Sequence, residues 1–256
     1  MSTFTIYSRK HQQIIRSLED WRRWGGPQHD HQWQDAYSAK ECAKAWFRLG
    51  SASVPIELAD LFRSHPLTSG LVVRAVLPEV ETKLDTFRGK GRVHDLVLLA
   101  DAPAGVVLVA IEAKAQESFG PTIDRAYAQS LQRPGSNAAR RIEQLTQAVF
   151  GRPLDDTLRS LRYQLVHAVA GTLIQAKQER AQLAVFVVHE FGSDTKSISN
   201  NHADFQRFLR QLSGGKAPAI LRPDPFLDGP YWVPGGGHVP GNVPLLIGKV
   251  SAPSSS

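Results

Sequence analysis

The chain contains one cysteine, Cys42, and no long apolar segment. A single thiol cannot form an internal disulfide or a cysteine-based zinc site, and it fits a reducing compartment. No apolar run approaches the roughly eighteen residues that a membrane span requires, and the stretch MSTFTIYSRKHQQ lacks the apolar block of a secretory signal. We therefore expect a soluble, cytoplasmic protein without a membrane partner.

Several well-known catalytic motifs are also absent. No GxSxG motif, Walker-type glycine loop or GxGxxG motif follows an apolar run, which disfavours serine hydrolases, P-loop proteins and Rossmann dehydrogenases. His189 and Glu190 lack the second histidine of HExxH. The triplet His29, Asp30, His31 has two interpretations, a transition-metal ligand set or a solvated loop, and the missing second ligand set favours the loop.

The size and charge of the chain limit its domain organisation and its partners. With 256 residues, 42% of them hydrophobic, the chain can bury a substantial core as one large domain or one domain with extensions. Its 30 Lys and Arg residues against 24 Asp and Glu residues give a net charge of +6. This excess favours polyanionic partners only mildly.

The residue pattern divides the chain into three parts. Residues 1–70 are predicted to form an N-terminal helical segment that packs on the core, with helices at 38–50 and 54–64. Residues 71–213 are predicted to form the core itself. Residues 214–256 are predicted to be a loop-rich extension with a last strand at 245–250 and a disordered SAPSSS tail.

Within the central part the period of the apolar residues indicates strands first and helices later. The predicted strands are 71–85, 92–101, 105–115 and 181–191, and the predicted helices are 136–151, 155–179 and 202–212. The fourth strand is so apolar that both of its faces should be covered. An α/β protein with a central sheet is the expected fold class.

The stretch GVVLVAIEAKAQ contains two charges, Glu112 and Lys114, in an otherwise apolar strand. Side chains alternate along a strand, so these two share a face. In the preceding strand RVHDLVLLAD, Asp95 is the carboxylate that interrupts the apolar run. Two carboxylates in a sheltered cleft repel each other, and a divalent cation with oxygen ligands, such as magnesium, relieves that repulsion.

Asp95, followed at a distance by Glu112-Ala113-Lys114, resembles the D…(D/E)xK signature of the PD-(D/E)XK nucleases, the restriction-endonuclease-like superfamily. The resemblance covers residues 71 to 191, with His94 where the motif has proline. It implies a mixed central sheet with a βββαβ core flanked by helices, and magnesium or manganese as cofactor. It also implies phosphodiester hydrolysis by a DNA endonuclease that acts as a homodimer. Asp95 and Glu112 would be metal ligands and Lys114 the catalytic lysine.

The same resemblance suggests two further site residues. An acidic residue on the helix before the sheet would be Glu57 or Glu41, with Glu57 preferred as a metal ligand. The alternative is that Glu41 caps its own helix and Glu57 faces water. A glutamine on the helix after the ExK strand would be Gln164, which could instead bond a backbone group at the edge of the core.

The turn DTFRGKGR carries Arg88, Lys90 and Arg92 close to the Asp95 strand, and we expect them to contact a DNA phosphate backbone. The alternative is an ordinary solvated turn. Glu79 and Glu81 are near in sequence, and pairing of one of them with a basic neighbour is favoured over a place in the cleft.

Two alternatives apply to the site as a whole. Structurally, Lys114 could form a buried ion pair with either Asp95 or Glu112, while the other carboxylate is exposed at a strand end. Functionally, the protein could be a nucleic-acid-binding or assembly subunit that keeps the nuclease fold without cleaving.

Overall fold

Eight strands form one mixed sheet in the part of the chain that the computed structural model describes, residues 4–27, 29–192, 195–215 and 224–253. The strands are β1 Thr5–Ser8, β2 Gln13–Ile14, β3 Val72–Thr82, β4 Arg92–Ala102, β5 Gly105–Ala115, β6 Leu183–Phe191, β7 Phe226–Tyr231 and β8 Leu245–Ala252. Their order across the sheet is β2-β1-β3-β4-β5-β6-β8-β7. Strands β3, β4 and β5 are antiparallel neighbours, whereas β5, β6 and β8 run parallel.

Helices cover both faces of this sheet. They are α1 Leu18–Trp24, α2 Ser38–Phe47, α3 Ile56–Arg63, α4 Ile123–Leu131, α5 Ala138–Phe150, α6 Asp156–Arg159, α7 Tyr163–Gln178 and α8 Thr195–Leu212. One apolar core lies between the sheet and α1 to α3, and the other lies between the sheet and α5, α7 and α8. Strand β6 is buried along its whole length, as its unbroken apolar run predicts.

The α/β class with a mixed sheet flanked by helices is confirmed, and the four strands predicted within residues 71–191 are all present. The single helix predicted for residues 155–179 is wrong. The chain leaves the helical conformation at Arg162, with φ −75° and ψ 123°, and pairs there with Thr122. The backbone on either side of Arg162 hydrogen-bonds to Pro121 and Ile123 instead of continuing the helix. The Arg162 side chain donates to the carbonyl oxygen of Gly120 (2.7 Å) and to Asp204 (2.7 Å).

The sheet extends across both predicted part boundaries. Strands β1 and β2 lie within the segment predicted to be helical, and β1 pairs in parallel with β3. Strands β7 and β8 lie within the predicted loop-rich extension. There β8 pairs with β6, and its apolar side chains are buried in the cores on both faces of the sheet. The predicted strand at 245–250 is confirmed. The predicted disordered tail is wrong for Ser251 and Ala252, which continue β8, and residues 254–256 lie outside the described part.

Across the described ranges, no helix combines the length and the apolar character that crossing a bilayer would take.

A buried ion network joins β6, β8 and the segment before β7. The ammonium of Lys249 is fully buried and contacts Glu190 Oε2 (2.8 Å) and Asp224 Oδ2. Asn201 of α8 donates to the other oxygen of Glu190 (2.6 Å), and Ser251 donates to Asp224 (2.9 Å). Lys249 therefore balances two carboxylates that the fold withdraws from water.

Replacement of Lys249 by methionine should lower the free energy of unfolding by about 3–5 kcal/mol, because it leaves Glu190 and Asp224 without their cation. Urea denaturation followed by circular dichroism measures this loss. Lys177→Met, the same change on an exposed residue of α7, serves as the control and should stay within about 0.5 kcal/mol of wild type. Equal stability of the two variants would contradict the proposed charge balance.

Candidate active site

The ladder between β4 and β5 stops just where the predicted acidic residues begin. Its last pair is Leu96 with Ile111, and beyond it the carboxylate of Asp95 accepts the backbone N–H of Ala113 (2.8 Å). The alternation of side chains between the two faces of β4 also changes here. Leu96 belongs to the core under α1 to α3, while His94 lies against Gly171 of α7 on the other face. Asp95 therefore sits at the point where the two strands separate.

Strand β3 has a matching irregularity at Glu79. Pro78 pairs with Leu96 and Val80 with His94, so Glu79 stands opposite Asp95. Its φ of 52° lies in the left-handed region, which costs a residue other than glycine about 1–3 kcal/mol and recurs at functional sites. This local conformation lets Glu79 leave the normal alternation of the strand.

Glu79 and Asp95 both line a cleft of about 1270 Å³ at this end of the sheet. Burial, together with the negative charge of Asp95, raises the pKa of Glu79 to about 8. Burial, together with the negative charge of Glu112, raises the pKa of Asp95 to about 7. The positive charges of Lys10, Arg92 and Lys114 do not offset burial and mutual repulsion, so the two cleft carboxylates do not both ionise easily.

Glu112, in contrast, is well compensated. Its side chain is 2% exposed and faces α7, where Oε1 contacts the ammonium of Lys114 (2.7 Å) and accepts the amide N–H of Gln164 (2.5 Å). Its Oε2 accepts from the guanidinium of Arg92. Burial alone would raise the pKa of Glu112, but the charges of Arg92 and Lys114 outweigh burial and hold it at about 2.

Four of the predicted site residues come together. Asp95 is bonded to the backbone between Glu112 and Lys114, and Gln164 contacts Glu112 directly. Gln164 was expected either to join the site or to bond a backbone group at the edge of the core, and its amide donates to Glu112 (2.5 Å). The chemical roles of all four residues stay predictions.

The two candidate acidic residues from the preceding helices do not join this group. Glu57 contacts Arg48 (3.1 Å) and His189 Nε2 (3.1 Å) on the face of the sheet that α3 covers, opposite the face to which Glu112 points. Its carboxylate is therefore engaged away from the cleft, and it does not face water as the alternative expected. Glu41 is buried and accepts the backbone N–H of Ala36 (3.1 Å), a capping contact at the start of α2.

The three basic residues of the turn have different environments. Arg88 and Lys90 are exposed, and Lys90 lines the cleft. Arg92 is 8% exposed and turned inward, where its pairing with Glu112 keeps its guanidinium away from an external phosphate. The expectation that all three reach a DNA backbone therefore does not hold for Arg92 in this conformation.

Sequence reasoning missed the inward position of Arg92, and it favoured pairing of Glu79 or Glu81 with a basic neighbour over a place in the cleft, which both residues line. A signal for Glu79 was present, since this acidic residue interrupts the apolar run VVRAVLPEV as Asp95 interrupts the next one. The sequence could not show that the backbone at Glu79 turns the carboxylate toward Asp95. It also could not show that Arg92, at the end of a charged turn, would point into the core.

The donor set of the cleft suits a hard divalent cation. Mg²⁺ is held by one or two carboxylates and completes its shell with water and substrate phosphates, so Glu79 and Asp95 provide enough protein ligands. Within the described residues, no group of three or more His, Cys, Asp or Glu side chains forms a closed metal site.

Comparison with known proteins gives one match. A protein-family model described as a domain of unknown function, DUF6946, matches residues 14–253 and so includes the N-terminal helices, the central sheet and the last strands. No curated protein and no solved structure matches the chain.

The raised pKa of Glu79 predicts how stability depends on pH. The folded state holds the Glu79 proton more tightly than the unfolded chain, so this stabilisation is complete below the unfolded pKa of about 4.5 and is lost as the pH rises through about 8. Glu79→Gln removes the titration. From about pH 5 to pH 9, the free energy of unfolding of the wild type should fall by at least about 1 kcal/mol more than that of Glu79→Gln.

Urea denaturation at several pH values, without divalent cations, measures this difference. Glu19→Gln, at an exposed position in the first turn of α1, is the matched control and should follow the wild-type pH profile. Parallel profiles for wild type and Glu79→Gln would show that Glu79 is not held in a repulsive environment.

Proposed function

The chain belongs to the DUF6946 family, and we propose that it is a magnesium-dependent phosphodiesterase, a DNA endonuclease of the restriction-endonuclease-like fold. The observation that carries the proposal is the meeting of Asp95 and Glu79 in an open cleft, next to the Glu112–Lys114 pair. Manganese would substitute for magnesium at such an oxygen-rich site.

The order of elements supports this fold assignment. Three antiparallel strands, β3 to β5, are followed by helices and by β6, which lies parallel to β5. This is the βββαβ order of the superfamily that Asp95 and Glu112-Ala113-Lys114 resemble. The acidic residues also stand at the strand ends where that motif predicts them.

In the proposed site, the carboxylates of Asp95 and Glu79 would hold the ion from the floor of the cleft. When bound, Mg²⁺ supplies positive charge that polarises a scissile phosphate and lowers the pKa of a coordinated water. The Ala113 N–H bond fixes one oxygen of Asp95 (2.8 Å) and so orients the carboxylate. The raised pKa values of Asp95 and Glu79 support this proposal, because a bound cation would relieve the repulsion between the two carboxylates.

Lys114 would orient the attacking water or stabilise the negative charge that develops in the transition state. Glu112 is proposed to position Lys114 through their 2.7 Å contact, and Gln164 holds Glu112 in turn. The predicted role of Glu112 as a metal ligand requires the guanidinium of Arg92 to leave Oε2, since both oxygens of Glu112 are engaged in this conformation.

The contact between Arg92 and Glu112 also favours a second candidate, a nucleic-acid-binding or assembly protein that does not cleave. With Arg92 and Lys114 both bound to Glu112, one acidic group of the motif is neutralised inside the protein. In this candidate the cleft binds nucleic acid, and the motif residues only stabilise the sheet.

Cleavage of plasmid DNA distinguishes the two candidates. Supercoiled plasmid should be nicked with Mg²⁺ or Mn²⁺ and remain intact with EDTA. Asp95→Asn and Lys114→Met should each lower the nicking rate at least about a hundredfold, because the first removes a charged ligand of the ion and the second removes the cation proposed to act on the water or the transition state. Gel electrophoresis over time measures the rates.

Lys177→Met is the control for the lysine substitution, and circular dichroism checks that every variant is folded. Wild-type protein that binds DNA without nicking it at any concentration of Mg²⁺ or Mn²⁺ would reject the nuclease and support the second candidate. Equal nicking by wild type and Lys114→Met would exclude the proposed role of Lys114.

A further inference from the structure

The wall of the cleft that faces the acidic residues is basic and aromatic. It is formed by the N-terminal segment, whose basic and aromatic lining residues include Arg9, Lys10, His11, Trp24, His29 and His31. The first three lie in the turn between β1 and β2, and Trp24 ends α1. His29 immediately precedes a short 3₁₀ helix, Asp30–Gln32, and His31 lies within it. Lys90 extends the positive charge to the side of the cleft formed by the turn before β4.

Planar groups are arranged along this wall. The rings of His29 and His31 are nearly parallel, with 15° between their planes and 5.5 Å between their centroids, and both residues are exposed. The ring of Trp24 lies 5.6 Å from that of His11, and the guanidinium of Arg23 lies 4.6 Å from the Trp24 ring centroid. Aromatic faces at the mouth of a cleft are platforms on which nucleotide bases stack.

The basic wall and the acidic floor are within electrostatic reach of each other. The charge of Lys10 counteracts part of the increase in the pKa of Glu79. A strand lying between them would place phosphates against Lys10 and Lys90, while one phosphate approaches the carboxylates of Glu79 and Asp95. The base attached to such a strand would then face the imidazole rings.

The cleft is larger than most small-molecule pockets. Small-molecule pockets have volumes of about 300–1,000 Å³. The cleft exceeds that range at about 1270 Å³, so it is wide enough for a segment of a longer molecule. Bases in a duplex are stacked on each other and cannot reach side-chain rings, whereas unpaired bases can be splayed onto them.

We propose that this wall binds an unpaired DNA strand, with His29 and His31 as the base-stacking platform and Lys10 as a phosphate contact. Its substrate would then be single-stranded DNA or a frayed segment of a duplex. The inference rests on the proposed function for the choice of DNA and for the reason that the strand lies over Asp95. Binding itself requires no metal and no cleavage.

Fluorescence anisotropy of a short labelled single-stranded oligodeoxynucleotide, measured in EDTA, tests the proposal. The wild type should bind the single strand at least about tenfold more tightly than the duplex of the same sequence. The double variant His29→Ala/His31→Ala should lose about tenfold in affinity for the single strand. His29→Phe/His31→Phe should recover most of that loss, because phenylalanine keeps the flat ring without the imidazole nitrogens.

Lys10→Gln should weaken binding and reduce the slope of log affinity against log salt concentration by about 0.7, the value for one phosphate contact with a single strand. Arg133→Gln, which removes one charge from an exposed residue outside the cleft, should leave the slope unchanged. Circular dichroism confirms the fold of each variant.

Duplex binding as tight as single-strand binding, or wild-type affinity in the histidine-to-alanine variant, would overturn the inference. Failure of the nuclease proposal has a different signature. If the single strand binds as expected but DNA stays intact with Mg²⁺ and Mn²⁺, single-strand binding by this wall is supported and the nuclease proposal is rejected.

Discussion

The burial of Glu112 is the constraint on which the site depends. An ionised carboxylate withdrawn from water costs several kcal/mol unless cations and hydrogen bonds surround it. Lys114, Arg92 and Gln164 supply that environment, and each comes from a different element, β5, β4 and α7. Gly171 of α7 makes room for this arrangement, because a β-carbon there would lie 3.1 Å from the side chains of Arg92 and His94.

The same arrangement explains why the negative charge of the cleft carboxylates is poorly compensated. Arg92 and Lys114 direct their charge to Glu112, so Asp95 and Glu79 keep raised pKa values at the solvent-reachable end of the strands. The irregular backbone at Glu79 and the end of the β4–β5 ladder both bring these carboxylates toward the opening. A cation or a protonated carboxyl is needed there, whereas the negative charge of Glu112 is already compensated by Arg92 and Lys114. The site therefore has a fixed inner part and an outer part that can accept ligands.

Much of this could be predicted from the sequence because apolar periodicity and interrupting charges are local signals. The central strands followed from their Val and Leu runs, and Asp95, Glu112 and Lys114 were identified because their charges interrupt these runs. Gln164 was identified through the resemblance to the PD-(D/E)XK nucleases. Short elements such as β1 and β7 were missed, since their place in the sheet is set by pairing with β3 and β8. The direction of Arg92 and the left-handed φ of Glu79 depend on tertiary packing, and no local pattern encodes them.

The location of a bound metal ion tests the central claim most directly. Crystals grown with Mn²⁺ and measured for its anomalous scattering would reveal the ion independently of any activity. The account predicts one peak in the cleft within bonding distance of the carboxylates of Asp95 and Glu79, with Glu112 still paired to Lys114. Crystals with the cleft accessible but without a peak near either carboxylate, even at saturating Mn²⁺, would contradict it.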